Sequence, residues 1–494
     1  MRNPFLRNFG ALVTRHVLSK LLALLWMGYL SRALGVAVFG DYVMLLSLQY
    51  VFAFSAEMGT GPTLVRRVAH ARAELPRCLK TLLGLRVMLG LAASVLFLAT
   101  TAATPMRAEL REGSCILALY LLVASVAAVG DATFAALEDL HVASAANIAS
   151  SVAVIVSGVW MVSRGAGLRG AFWAQVAGGC AIGIAYVVAF GVRGIRPGGE
   201  VDRRFVGEFL WEAFRIGGPN ALGAAYGRVD RLLLARFVDA GAAGLYHTAT
   251  MMMKPLSDLY FAVVPPILFP AMTRVHKTSP QAFRELVRAA LHVFQGLTVP
   301  AALVLCLYSS DAMGAVFGAP FAASGRALTI LAVSLPCAVT GSVFSTVLLI
   351  EKRSSANLGL SALSIGLSLC LNLALIPRLG MPAAAISATA TQLLMILLCG
   401  RQVGAVRNGF LPWSVYGQTT ACCAAIAALA VALGTTVLPR LIQLAAVACC
   451  GLGLQSWLLW RRGAVQSFLQ LIGEPVVDPG QDEELTQVLA SIEN

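Results

Sequence analysis

Residues 31–42 read Ser-Arg-Ala-Leu-Gly-Val-Ala-Val-Phe-Gly-Asp-Tyr, and residues 235–246 read Ala-Arg-Phe-Val-Asp-Ala-Gly-Ala-Ala-Gly-Leu-Tyr. Arg32 precedes Gly40 and Tyr42 at the same spacing at which Arg236 precedes Gly244 and Tyr246. Two more matches follow in the same order. Leu85-Arg86-Val87-Met88-Leu89-Gly90-Leu91 parallels Leu291-His292-Val293-Phe294-Gln295-Gly296-Leu297. Gly167-Leu168-Arg169-Gly170-Ala171 parallels Gly380-Met381-Pro382-Ala383-Ala384. The common order and near-constant offset identify a duplicated unit. Each matched segment touches long apolar runs, so the unit is a bundle of membrane helices.

Composition agrees. The chain has 494 residues, 58% hydrophobic and 12% charged, with mean hydropathy +0.78. Soluble domains average about 45–50% apolar and about 25% charged. This balance excludes a soluble enzyme, a disordered protein and a nucleic-acid-binding domain. The apolar runs are continuous rather than alternating, which excludes a membrane barrel. The net charge of +13 reflects the Lys and Arg that membrane proteins gather on cytoplasmic loops. Most of the 11 cysteines lie inside apolar runs, where they serve as small hydrophobes, and no C-x-x-C pair points to a metal. Arg15, His16 and Lys20 interrupt what would be the apolar region of a signal peptide.

A crossing helix needs about 20 mostly apolar residues. The sequence predicts an all-α polytopic membrane protein with about 14 transmembrane helices. The spans are 11–34, 39–57, 81–103, 114–137, 142–163, 170–191, 209–237, 242–272, 283–309, 325–350, 357–376, 382–400, 416–438 and 441–460. Loops with Arg66, Arg67, Arg72, Arg77, Lys80, Arg193, Arg196, Arg203 and Arg204 alternate with poorer ones, which places both termini in the cytoplasm. The loop 137–142, with Glu138, Asp139 and His141, runs against that pattern. The expected organisation is a six-helix lobe at 1–200 and a pseudo-symmetric six-helix lobe at 201–410. Two additional helices follow at 411–462, then an acidic cytoplasmic tail at 463–494 with a short amphipathic stretch at 483–492. Repeats that both begin on one side of the membrane are parallel, an architecture suited to alternating access.

Several charges stand inside the spans, where a Lys or Arg costs about 2.5–3.5 kcal/mol on insertion scales. Lys20 lies roughly 14 Å into the first span at about 1.5 Å per residue, too deep to snorkel with ease. Asn220, Ala224, Gly227, Arg228 and Arg231 form one stripe, with Asp230 pointing elsewhere. His247, Met251, Lys254 and Asp258 share a face on the next helix, and Lys254 and Asp258 have i,i+4 spacing. Arg86, Arg215 and Asp131 complete the set. Any one of these residues has an equally good reading as half of an ion pair joining two helices. Taken together, cations outnumber acids, so a cavity carrying the excess attracts an anion. The candidate binding residues are Lys20, Arg86, Arg228, Arg231 and Lys254. Asp230, His247 and Asp258 are candidates for ion coupling.

The segments Tyr29-Leu30-Ser31-Arg32-Ala33-Leu34-Gly35 and Phe39-Gly40-Asp41-Tyr42 resemble the first-loop signature of polysaccharide-biosynthesis flippases. So do residues 229–236 with Gly244-Leu245-Tyr246, and Ile376-Pro377-Arg378-Leu379-Gly380 with 383–386 is similar to a third feature of that family. These proteins share a superfamily with lipid II flippases and multidrug and toxin extruders. The resemblance spans residues 7–460 and implies a V-shaped pair of lobes and a basic central cavity. It implies a substrate of undecaprenyl-pyrophosphate-linked oligosaccharide, moved from the cytoplasmic to the periplasmic leaflet of a bacterial inner membrane. It also implies coupling to an ion gradient. Membrane lipid and other polysaccharide-assembly proteins are expected partners; no nucleic acid, cofactor, metal or catalytic residue is expected.

Three competing readings exist. A multidrug exporter of the same fold binds cations, yet the first and seventh spans hold Arg15, Lys20, Arg215, Arg228 and Arg231 against only two acids, Glu212 and Asp230. A membrane-embedded polymerase or ligase needs a long periplasmic loop, and the longest far-side loop, 104–113, is short. A non-transporting scaffold for polysaccharide assembly is the third, with the acidic tail as its contact.

Overall fold

A straight helix of 53 residues is roughly 80 Å long, far more than one bilayer crossing. The apolar helical runs Leu18–His70 and Leu140–Arg193 therefore each have to turn, and glycines with positive φ mark where they do. The computed structural model describes residues 4–405, 410, 413–434 and 439–461. Side chains are described for these except at 4–17, 218–226, 256, 258–267, 277–278, 354–355, 358, 413–418 and 441.

The described residues are helical and contain no strand. In chain order the helices are α1 (Pro4–Glu57), α2 (Thr60–His70), α3 (Leu75–Ala103), α4 (Ala108–Ala136), α5 (Leu140–Met161), α6 (Gly167–Arg193) and α7 (Arg203–Phe237). Then come α8 (Ala240–Thr278), α9 (Pro280–Leu307), α10 (Ser309–Phe317), α11 (Gly325–Ile350) and α12 (Ser354–Leu379). The series closes with α13 (Met381–Val403), α14 (Trp413–Gly434) and α15 (Arg440–Arg461). Over its described residues each expected span coincides with helical chain. The first two are halves of α1, broken at Gly35 (φ 73, ψ 171). Gly165 (φ 87) and Gly167 (φ 51) break the run between α5 and α6, conformations that only glycine adopts without strain. Among the described residues nine helices or helical runs are long and apolar enough to cross a membrane. Many large apolar side chains are exposed, among them Leu25, Met88, Val156, Val187, Val192, Leu397 and Val431, as lipid-facing residues are.

Two short helices have no counterpart among the expected spans. Helix α2 occupies part of what reads as a charged loop. It buries Thr60, Gly61, Thr63, Leu64 and Val68 on one face. From the same face Arg67 meets Glu212 of α7 at 2.8 Å and lies over the rings of Phe205 and Phe209. Helix α10 docks on α1: Ser31 Oγ donates to the carbonyl of Phe317 at 2.9 Å, and the Arg32 guanidinium donates to that of Ala315. The signature Ser-Arg pair thus satisfies carbonyls at the end of a short helix. Asp41, from the same segment, pairs with Arg107 at the start of α4.

The chain forms two compact units. The first comprises Met1–Leu259, Tyr308–Ala332 and Ile365–Thr391. In it α3 packs on α4, α4 on α6 and α5 on α6, while α1 runs against α3, α4 and α7. Its core includes Leu64, Val68, Leu79, Leu82, Val129, Phe205 and Phe209. Asp139 of the acidic 137–142 turn pairs with Arg193 at the end of α6, so that loop has its basic partner alongside. The repeat boundary near residue 200 falls inside this unit, which contains the matched segments 31–42 and 235–246.

The second unit comprises Tyr260–Leu307, Val333–Ser364 and Gln392–Asn494. Its core gathers Leu268, Met272, Phe283, Leu286, Leu291, Phe344, Val347 and Cys399. Helices α14 and α15 pack on α9, where Gly296 leaves room for Leu459 and Gln455. The acidic tail 463–494 lies outside the described residues.

Candidate functional site

The second half of α1 presents Val43, Leu46, Ser47, Tyr50 and Phe54 on one face, at helical spacing. The first half presents Lys20, Ala23 and Met27 in the same way. Opposite them stand Gly227, Arg228 and Arg231 of α7, and His247, Thr250, Met251, Lys254 and Pro255 of α8. Tyr120 of α4 and Gln175 of α6 close the wall. Together these side chains, all from the first unit, enclose a cavity of about 440 Å³. Gly227 keeps the α7 side open beside Arg228 and Arg231, since it has no side chain.

The lining carries Lys20, Arg228, Arg231 and Lys254, and no Asp or Glu among the described residues. The Arg228 guanidinium lies 4.2 Å from the centroid of the Tyr50 ring, a cation–π contact that holds the charge without neutralising it. Arg231 donates to the carbonyl of Gly227 at 3.1 Å and to Thr250 Oγ1 at 3.1 Å. Thr250 Oγ1 in turn donates to the carbonyl of His247 at 2.8 Å. Among the described residues no carboxylate pairs with Arg228 or Arg231. Arg231 Nε and His247 Nδ1 are buried without a partner among the described residues. Buried polar atoms in folded proteins have partners, so an orphaned pair beside a polar cavity marks where water or a ligand binds.

The repeat runs straight through this cavity. Residues 204 positions apart in sequence line it in pairs: Ala23 and Gly227, Met27 and Arg231, Val43 and His247, Leu46 and Thr250, Ser47 and Met251, Tyr50 and Lys254. Equivalent faces of the two copies therefore look into one space. Their chemistry has diverged: the earlier copy supplies mainly apolar, aromatic and hydroxyl groups with Lys20 as its one lining cation among the described residues, and the later copy supplies Arg228, Arg231 and Lys254.

Of the candidate residues, Lys20, Arg228, Arg231, His247 and Lys254 come together here. Arg86 does not line the cavity. It is 3% exposed, between α3 and the end of α1, with Glu57 at 3.9 Å. Asp230, on the other side of α7 from the stripe, accepts from Asn372 Nδ2 at 2.6 Å and from the Tyr246 hydroxyl at 3.3 Å. Asp131 accepts from Asn147 Nδ2 at 2.9 Å and from the Tyr186 hydroxyl. Arg215 is exposed. The side chains of Asp258, Asn220, Arg15 and His16 lie outside those described. Tyr50, Tyr120, Gln175 and Thr250 are lining residues that the search for buried charge passes over. Carrying Lys254 and Thr250 back by the repeat offset leads to Tyr50 and Leu46, so the repeat held the signal for Tyr50.

An all-helical, multi-pass membrane protein with a basic cavity bounded by two repeated helix faces is the class that fold and site define. The family model described as polysaccharide biosynthesis protein matches residues 5–276, and the chain belongs to that family. That region contains all the lining residues. No curated protein matches the chain in sequence. Solved structures share its fold. A lipid II flippase, MurJ, in an inward closed conformation is 12% identical with TM-score 0.69, covering 91% of this chain and 99% of that one. An inward-facing multidrug resistance MATE family transporter of the MOP superfamily is 14% identical with TM-score 0.62, covering 80% and 95%. A MOP superfamily transporter from Pyrococcus furiosus, noted for the reversed polarity of its binding pocket, is 15% identical with TM-score 0.57, covering 81% and 96%.

Proposed function

We propose that this protein is a flippase that moves undecaprenyl-pyrophosphate-linked oligosaccharide from the cytoplasmic to the periplasmic leaflet of a bacterial inner membrane, for surface polysaccharide biosynthesis. The observation that carries this reading is the cavity whose charged lining residues are Lys20, Arg228, Arg231 and Lys254, in a member of a polysaccharide biosynthesis family. A polyprenyl tail stays in lipid without cost. The pyrophosphate head does not, because an ion moved unpaired into hydrocarbon loses tens of kcal/mol of solvation. A wet cavity with fixed cations replaces that solvation by charge-assisted hydrogen bonds. Arg228 and Arg231 sit beside one another on one helix face and serve one doubly charged group.

The two copies, as lobes 1–200 and 201–410 with 411–462 appended, rock about the cavity so that it opens to each side in turn. Both termini are cytoplasmic. No bond is made or broken in this cycle, so the protein acts as a transporter and not an enzyme. Asp230, His247 and Asp258 couple the cycle to an ion gradient. The test is deletion of the gene followed by analysis of lipid-linked sugars in each leaflet. Undecaprenyl-linked repeat units confined to the cytoplasmic leaflet support the reading. Their accumulation on the periplasmic leaflet places the defect in polymerisation or ligation and overturns it.

A further inference from the structure

The cavity is chemically two-sided, and the proposed pyrophosphate uses one side only. Cations crowd the α7 and α8 wall and the first half of α1. The facing wall has Tyr50, Phe54, Tyr120, Ser47 and Gln175. Tyr50 is 40% exposed, a large fraction for an aromatic ring inside a helix bundle. No hydrogen bond reaches the Tyr50 or Tyr120 hydroxyl among the described residues. Gln175 is held in place by donating from Nε2 to the Tyr42 hydroxyl at 2.8 Å, and Tyr42 is itself buried and stacked on Phe172 with centroids 5.3 Å apart.

Resting on the flippase reading, we propose that this wall is a sugar subsite: Tyr50 and Tyr120 form a platform for the glycosyl residue attached to the pyrophosphate, and Gln175 and Ser47 hydrogen-bond its hydroxyls. An aromatic face carries partial negative charge and accepts the C–H face of a pyranose. Amide and hydroxyl groups at the rim of such a face fix which hydroxyls fit. The duplication places the subsite. Tyr50 occupies the position that Lys254 holds in the other copy, so a ligand bridging equivalent faces meets a ring on one side and a cation on the other. Arg228, stacked on Tyr50, joins the two halves. A cavity of about 440 Å³ holds a pyrophosphate with one or two sugar rings; a longer glycan extends beyond it.

The test compares two probes on purified full-length protein by native mass spectrometry: undecaprenyl pyrophosphate, and undecaprenyl pyrophosphate bearing one hexosamine. The wild type is expected to bind the sugar-bearing lipid roughly two- to tenfold more tightly, the range of one good aromatic contact. In Tyr120→Leu that ratio falls to about one, and in Tyr120→Phe, which keeps the ring, most of it returns. Should Tyr120→Leu not fold, Gln175→Leu is read by the same ratio. A ratio that persists in the leucine variants overturns the subsite. So does a wild-type ratio of one together with pyrophosphate binding that Arg228→Ala weakens, an outcome that leaves the flippase reading standing. If the wild type binds neither lipid, the flippase reading itself fails and takes the subsite with it.

Discussion

Gly40 and Gly244, equivalent residues of the two copies, lie backbone to backbone. A Cβ added to Gly244 would come 2.9 Å from Gly40 Cα, and one added to Gly40 would come 2.0 Å from the carbonyl oxygen of Ala240. Equivalent residues meet only near the axis that relates their copies, so α1 and α8 cross on that axis with no side chain between them. Gly40→Ala forces two backbones apart and is expected to cost about 1–3 kcal/mol. Gly183→Ala, on α6 with nothing within 4 Å of the added carbon, is the comparison and is neutral or stabilising. Thermal unfolding in detergent checks both, and an unaltered melting temperature for Gly40→Ala contradicts the close crossing.

Replacing Arg228 and Arg231 together by Ala removes two of the lining cations without disturbing a carboxylate partner. Insertion and fold are expected to survive, while glycan export stops. Membrane levels and surface polysaccharide, measured side by side, decide. A double variant that exports normally removes these arginines from the site.

Much of this was legible before any coordinates. The spans stand out because about 20 apolar residues in a row have few other uses in a protein. Lys20, Arg228, Arg231 and Lys254 stand out because charge in such a run is costly. Helix α2 is hidden because Arg66, Arg67 and His70 make it read as a loop, and α10 because nine residues are too few to cross a membrane. Arg86 is the counter-example. It carries the same signal of buried charge as Arg231, but sequence contains no distances, and its place is beside Glu57 rather than in the cavity. Tyr50 and Tyr120 were invisible for the opposite reason: an aromatic residue in an apolar helix looks like core.

Arg86 yields a prediction of its own. Its side chain is almost fully buried, its backbone carbonyl accepts from Ser125 Oγ at 2.9 Å, and its partner Glu57 is half exposed. Arg86→Met keeps much of the packing and leaves Glu57 free to face water, so the loss is expected to be about 1–3 kcal/mol rather than that of a stranded buried charge. The variant should unfold at lower temperature and still bind undecaprenyl pyrophosphate. If binding falls as far as in Arg228→Ala with no change in unfolding temperature, Arg86 belongs to the substrate path after all.

Asp230 sits between Asn372 and Tyr246, each of which donates to it. Asp230→Asn preserves size and keeps one oxygen for Asn372, and a phenol hydroxyl accepts from the new amide as readily as it donated to the acid. The fold should therefore tolerate the change, whereas the negative charge that a proton or a sodium ion would neutralise is gone. In liposomes the wild type is expected to move lipid-linked oligosaccharide faster under an imposed proton or sodium gradient. In Asp230→Asn the rate should no longer depend on either gradient, at an unfolding temperature close to that of the wild type. A variant that still responds to the gradient rules out Asp230 as the coupling group and leaves its carboxylate with a structural role, joining α7 to α12.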